Sequence, residues 1–178
     1  MEIRPARRGD AERIAAVARE TWHAAYGDVL SAGAIDATVD EWYAPASLRA
    51  AIDRETGSFV VAEADDETAD EVVGYLQADY RESVGNVVVS RVYVLPDYWG
   101  EGVGTAMLER VATEFHEAGY ERVSAVVLAD NELGRVFYDA RTFEEVGRQT
   151  TTLGGEEYDE LIVAADLAEL ADTHERAG

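Results

Sequence analysis

Between Val103 and Phe115 the apolar positions keep helical time. Val103, Met107, Leu108, Val111 and Phe115 fall on one face, and Gly119 closes the helix. Upstream the rhythm is extended. SFVVAEA, EVVGYLQADY and NVVVSRVYVL are rich in β-branched residues and bounded by Gly, Asp and Pro, which predicts three strands. Pro96 and Asp97 end the last of them. ERVSAVVLA is a short, nearly continuous apolar run, the pattern of a buried strand. EEVGRQTTTL and EEYDELIVAADL read as a closing pair of strands. A first short strand is expected at residues 2–5. A helix follows from an N-cap at Asp10 to about Tyr26, and a second lies between about Ile35 and Ile52. NELGRVFYDA is a further helix. The order is roughly βααβββαβαββ, a strand–helix–strand unit inside a run of hairpins, so the sheet is expected to be mixed. EADDETADE (63–71) reads as an exposed hairpin loop and ADTHERAG as a frayed tail. With no repeat or linker, the 178 residues suit one domain, 1–178, with a sizeable core.

The helix NELGRVFYDA has two unlike faces. At 100° per residue, Leu133, Val136, Phe137 and Ala140 share one face, the expected core stripe. Asn131, Gly134, Arg135 and Tyr138 share the other. Two polar groups there stand roughly 10 Å apart along the axis, with Gly134 between them. That is a groove for a thin ligand.

VYVLPDYWGEGVGTAML carries the strongest chemical signal. A strand ends at Pro96, Gly100, Gly102 and Gly104 follow, and a helix begins at once. Unpaired backbone N–H groups at a helix N-terminus, with the positive end of its dipole, bind phosphate. Glycine permits close approach and positive φ. Two rival phosphate motifs fail. In G-x-G-x-x-G the third glycine would be Thr105 or Met107, which sets aside an NAD-dependent oxidoreductase, and the P-loop needs a lysine that this chain lacks.

Charge changes the picture further. The chain has 37 acidic and 15 basic residues, a formal net of −22, and every basic one is arginine. Nucleic acid and anionic membrane would be repelled. The acid either draws a cationic substrate or adapts the whole surface to a salty, halophilic cytoplasm. Its spread over the chain favours the second reading. Without cysteine there is no disulfide, thiolate metal site or Cys nucleophile. No metal-ligand spacing and no Ser-His-Asp arrangement is visible. No apolar run approaches the ~18 residues of a membrane span. MEIRPARRGD lacks the apolar stretch of a signal peptide, so a cytoplasmic location is expected.

With these residues in hand, the sequence resembles the GNAT acetyltransferase superfamily. Val94-Leu95-Pro96 followed by Trp99-Gly100-Glu101-Gly102-Val103-Gly104 is similar to the family's strand-Pro turn and glycine motif. Asn131, then Phe137-Tyr138, then Thr142-Phe143, is similar to its second motif, and TWHAAYGDVL looks like its first-helix segment. The resemblance runs over residues 2–163. It implies an α+β fold with a central mixed, mostly antiparallel sheet of about six to seven strands and flanking helices. It implies acetyl-CoA as co-substrate and no metal, with transfer directly to an amine acceptor, a small molecule or a protein N-terminus. The alternative is a non-catalytic acyl-CoA-binding or sensing module. The backbone of Val92, Tyr93 and Val94 would pair with the pantetheine arm, in a site made by two splayed strands. Amides of Gly100, Glu101, Gly102, Val103, Gly104 and Thr105 would hold the pyrophosphate. Asn131 and Tyr138 would lie near the sulfur. Nucleic acid and membrane are not expected partners, and a homodimer is left open.

Two positions depart from the family. Trp99 stands where Gln or Arg is usual, which removes a side-chain contact to phosphate. Val88 stands where a strand Glu usually serves as base. Acyl transfer needs a neutral amine, yet amines titrate near 10.4, so a base or water chain is required. The candidates are Glu20, His23, Glu63, Asp79 and Glu82, each more often a solvated charge. A backbone N–H near Tyr93 or Val94 would steady the oxyanion if the strand bulges there, and Tyr138 would donate to the departing thiolate. Trp22, His23 and Tyr26 are the expected acceptor contacts, with Trp42 and Tyr43 completing an aromatic wall or simply packing the core. His116 reads as structural, at a helix C-terminus, and His174 lies in the tail.

Overall fold

A computed structural model describes residues 1–65 and 71–172. The middle of the expected 63–71 loop, His174 and most of the expected tail lie outside them. Seven strands form one sheet. They are β1 (Glu2–Pro5), β2 (Gly57–Ala64), β3 (Glu71–Arg81), β4 (Asn86–Val94), β5 (Arg122–Leu128), β6 (Glu144–Leu153) and β7 (Glu156–Asp166). Their order is β1-β2-β3-β4-β5-β7-β6. Only β4 and β5 pair in parallel, and the helix α4 (Val103–Glu117) crosses between them. This is the mixed, mostly antiparallel sheet of an α+β fold.

Both faces of the sheet centre are covered, which is why β3 is buried almost end to end. A Cβ on Gly74 would touch Met107 of α4. Its neighbour Tyr75 turns the other way, onto Tyr43. That second face carries α1 (Ala11–Tyr26), α2 (Ala32–Trp42) and α3 (Pro45–Ile52). The single second helix expected from the sequence is thus two. Pro45 starts α3, and it forces Ala44 into an extended conformation, ψ 133°. Asp10 precedes α1 without capping it. Its carboxylate accepts from the Arg7 N–H at 2.7 Å and from both terminal nitrogens of Arg4, at 2.9 and 3.0 Å. Arg4 also donates through Nε to Glu63 at 2.7 Å. The buried guanidinium therefore ties β1 to β2 and to the entry of α1. A last helix, α6 (Leu167–Ala171), was not legible in the sequence; it buries Leu167 and Leu170 and packs on α4.

One irregularity shapes the sheet. Gln77 pairs with Arg91 but Ala78 with Val89, so Ser90 is an extra residue on β4. Such a bulge bends its strand. β4 and β5 pair only over Val87–Val89 and Val123–Ala125, then part. The bulge lies at Ser90, not at Tyr93 or Val94 where an oxyanion donor was sought.

Charge should govern stability in this fold. From ~0.15 M to 1 M salt the Debye length falls from ~8 to ~3 Å, weakening repulsion among the excess carboxylates. The melting temperature is expected to rise with KCl over that range, measured by calorimetry. A flat response would argue that the acid is not a burden on the fold.

Candidate active site

The gap between β4 and β5 opens into a cavity of about 470 Å³. Its walls follow from strand geometry. Leu95 N–H donates to Val73 C=O at 2.8 Å. By the alternation of an antiparallel ladder, Tyr93 also bonds toward β3, and the peptide groups of Val92 and Val94 point into the gap. The Trp99 indole N–H already reaches one of them, donating to Val94 C=O at 2.7 Å. Trp99 therefore covers the end of the free strand edge rather than a phosphate.

The floor of the cavity is the glycine turn. Gly100 and Gly102 have φ of +79° and +81°, a region costly for other residues. A Cβ on either would meet nothing within 4 Å. Backbone conformation, not space, demands glycine there. Gly104 is different: its φ is ordinary, but a Cβ would stand 2.9 Å from the Phe137 ring. The first turn of α4 thus lies against α5 (Glu132–Asp139).

The stripe expected to pack in the core on α5 is not buried there. Leu133 and Val136 are exposed, at 48% and 59%, and with Phe137 and Ala140 they line the cavity. The opposite face is seated largely on the protein, with Asn131, Gly134 and Tyr138 also reaching the cavity and Arg135 exposed. A Cβ on Gly134 would stand 2.8 Å from Val127 of β5. Asn131 is buried; its side-chain oxygen accepts from the Gly134 N–H at 3.0 Å, and its amide donates to the Tyr26 hydroxyl at 3.4 Å. Helical periodicity separates two faces but does not say which one meets protein. A short helix bordering an open cleft turns its apolar stripe to the cleft.

Tyr138 lines the cavity and is 5% exposed, wedged between Phe137 and Phe143 with centroids 5.2 and 5.0 Å away. Burial raises its pKa well above that of a free phenol, and the charge field of Tyr26 adds to this. Tyr26 and Tyr93 also line the cavity, with their hydroxyls 2.9 Å apart. Burial pushes Tyr26 up to about 12, against the opposing hydrogen bond from Tyr93, and it raises Tyr93 as well. All three phenols are neutral donors near pH 7.

Residues 15–143 match the model of the acetyltransferase (GNAT) family. The chain belongs to that family. An uncharacterized N-acetyltransferase of Mycobacterium tuberculosis is 26% identical over 161 residues, 89% of this chain and 98% of its own. The PaiA N-acetyltransferase of Thermoplasma acidophilum, solved with coenzyme A, superposes with a TM-score of 0.79. It is 23% identical and covers 93% of this chain and 98% of its own. The ribosomal-protein-alanine N-acetyltransferase of Brucella melitensis gives 0.66 at 19% identity, over 93% and 99%. At such identities the structural likenesses show the GNAT fold.

Of the cofactor contacts expected from the GNAT motifs, all but Glu101 line the cavity. Tyr26 lines it too, whereas Trp22 and His23 do not. Trp22 is buried behind Tyr26, Tyr43 and Tyr93. His23 turns to α2, with Nε2 2.9 Å from Asp36. None of the five candidate bases borders the cavity. Glu63 is engaged by Arg4, and Asp79 is buried near Arg54, 3.8 Å away. Indeed no Asp, Glu or His lines the cavity among the described residues. Two features escaped the sequence reading. Glu160 on β7, held by Gln149 Nε2 at 2.8 Å, makes its charge felt at Tyr26. Arg141, just past α5, lines the cavity beside Thr105. The i, i+4 pair Phe137–Arg141 was the available signal. Among the described residues no cluster of three acidic or histidine side chains suits a metal, and no helix is long and apolar enough to cross a membrane.

Proposed function

We propose that this chain transfers the acetyl group of acetyl-CoA directly to the amine of a small molecule or a protein N-terminus. The observation that carries this reading is the cavity between the parted strands β4 and β5, which ends on the Gly100–Gly104 turn. A free strand edge suits an amide-bearing arm, and the turn suits a pyrophosphate. A carboxylate-free lining suits a polyanion. Acetyl-CoA supplies the activated acetyl group. The chain's own groups align it and steady the charges that form. The N–H groups of Val92 and Val94 face the arm, and Tyr138 O–H faces the place where sulfur becomes anionic. Because no carboxylate or imidazole reaches the lining, the amine loses its proton to water, alongside the neutral Tyr26–Tyr93 pair.

The absent base also favours a second reading, an acyl-CoA-binding module without turnover. The two are separated by acetyl-CoA-dependent release of free thiol with a panel of amines, run in high salt. Turnover with at least one amine is expected. Gly102→Val is expected to abolish CoA binding, read by calorimetry on protein shown to be folded by circular dichroism. Binding without turnover selects the module, and unchanged CoA affinity in the variant removes the turn from the site.

A further inference from the structure

Arg141 is a cation with few rivals for its position. In this acidic chain most described arginines are held by carboxylates, as Arg4, Arg19 and Arg122 are. The Arg141 guanidinium is not among those pairs. Its Cζ lies over the Phe137 ring, 3.9 Å from the centroid. Nε donates to Thr105 Oγ1 at 2.9 Å, Nη2 bonds the same oxygen, and Nη1 bonds Phe137 C=O. Of five N–H groups, these three bonds leave two, on a residue that lines the cavity. Partial burial lowers its pKa, with Glu109 opposing that shift. Arg91, the other arginine of the lining, turns its guanidinium away, over the Tyr43 ring at 4.6 Å and onto Trp42 C=O at 2.9 Å.

The place matters as much as the charge. Thr105 lies in the first turn of α4, next to Gly104 and within the row of amides proposed for the pyrophosphate. Gly104 is the point where α4 touches Phe137. The guanidinium thus sits over the contact between the two helices. Thr105 accepts from Arg141, so its own hydroxyl proton is free to be donated outward. Trp99, which stands where Gln or Arg is usual, is engaged with Val94.

We infer that Arg141, with the Thr105 hydroxyl it holds, is the side-chain contact for the pyrophosphate of CoA. It stands in space for the Gln or Arg that Trp99 replaces in sequence. The inference rests on the acetyl-CoA reading above. A planar guanidinium offers paired N–H groups to phosphate oxygens, and its bonds to Thr105 and to Phe137 C=O hold it beside the turn.

The test compares the parent with Arg141→Met, which keeps the stem on Phe137, and with Arg141→Lys, which keeps the charge. Calorimetric Kd for CoA should rise about ten- to a hundredfold in Arg141→Met, the range of a charge-assisted bond, and less in Arg141→Lys. The value of kcat/KM for S-acetylpantetheine, which has the thioester arm but no pyrophosphate, should not change in either variant. Equal losses on both acyl donors would make Arg141 a packing residue and overturn the inference. So would an unchanged CoA Kd in Arg141→Met. A parent that binds no CoA would instead overturn the acetyl-CoA reading, and the inference with it.

Discussion

Tyr138→Phe is expected to lower kcat by about ten- to a thousandfold, with KM for acetyl-CoA changing much less. The argument starts from charge. Bound thioester carries none on sulfur; the departing thiolate does. A hydroxyl aimed there is worth more in the transition state than in the ground state. Full proton transfer from an ordinary phenol near ~10 to a thiolate near ~8.5 is uphill by about 1.5 units, or roughly 2 kcal/mol. Burial of Tyr138 raises its pKa and steepens that climb. On the proposed mechanism Tyr138 is therefore expected to act as a hydrogen-bond donor, with water completing the transfer. A second consequence has a clear sign. The raised pKa keeps the phenol protonated through the alkaline range, so kcat should show no falling limb from Tyr138 up to the ordinary phenol value near ~10. Steady-state kinetics with a productive amine checks both statements. Full kcat in the variant, with chemistry rate-limiting in the parent, removes Tyr138 from the reaction. A rise in KM alone makes it a binding residue.

Arg4→Met is the largest expected effect on stability. Arg4, Asp10 and Glu63 keep only 9%, 13% and 16% of their side-chain surface exposed. Removing the cation leaves two carboxylates with little water and no cation beside them, Asp10 keeping only the Arg7 N–H. Breaking a buried pair costs about 3–5 kcal/mol, and the residual hydration here points to about 3. For a chain of this size that is a fall in Tm of roughly 6–12 °C. The pH dependence follows from Asp10. Its pKa is shifted by opposing causes: burial, the largest, raises it, while hydrogen bonds from Arg4 and the Arg7 amide together carry it below the ordinary value. A depressed carboxylate contributes stability above its unfolded pKa, near ~3.9. That contribution is lost as pH falls through the folded value. The gap between parent and variant should accordingly be full near pH 7 and shrink in acid. A Tm within 2 °C of the parent at neutral pH would show that the three side chains are only neighbours.

Strand rhythm, the glycine turn and the long amphipathic α4 were legible because each is a local pattern with a local cause. What escaped was decided by position in the whole. The stripe Leu133–Val136–Phe137–Ala140 is apolar whichever way α5 faces; its direction depends on the open cleft beside it. The break before Pro45 was readable in principle, since proline bars the helix at the residue before it. Leu167 and Leu170 needed α4 as a partner before they could specify a helix. The candidate bases were chosen by residue type, and type does not place a carboxylate. Arg4 takes Glu63, and the cavity receives none of the five. Trp99 was read as a lost side-chain contact to phosphate, whereas its indole N–H closes a strand edge, and the guanidinium bonded to Thr105 beside the turn is that of Arg141.

The sheet also has to live in a crowded solution. Its last strand, β6, is ten residues long, pairs on one side only, and is exposed along most of its length. An open edge of that length is a template for strands of other molecules. Here the template is spoiled. Between Glu145 and Gly147 the register slips, which leaves Val146 unpaired and 58% exposed, and kinks the strand. Glu144 and Glu145 flank the slip, and Glu156 and Glu157 lie at the far end of the hairpin. A second edge brought alongside would find broken spacing and charged side chains, Glu144 and the Glu145–Arg148 pair, so aggregation through β6 is resisted by the strand's own irregularity.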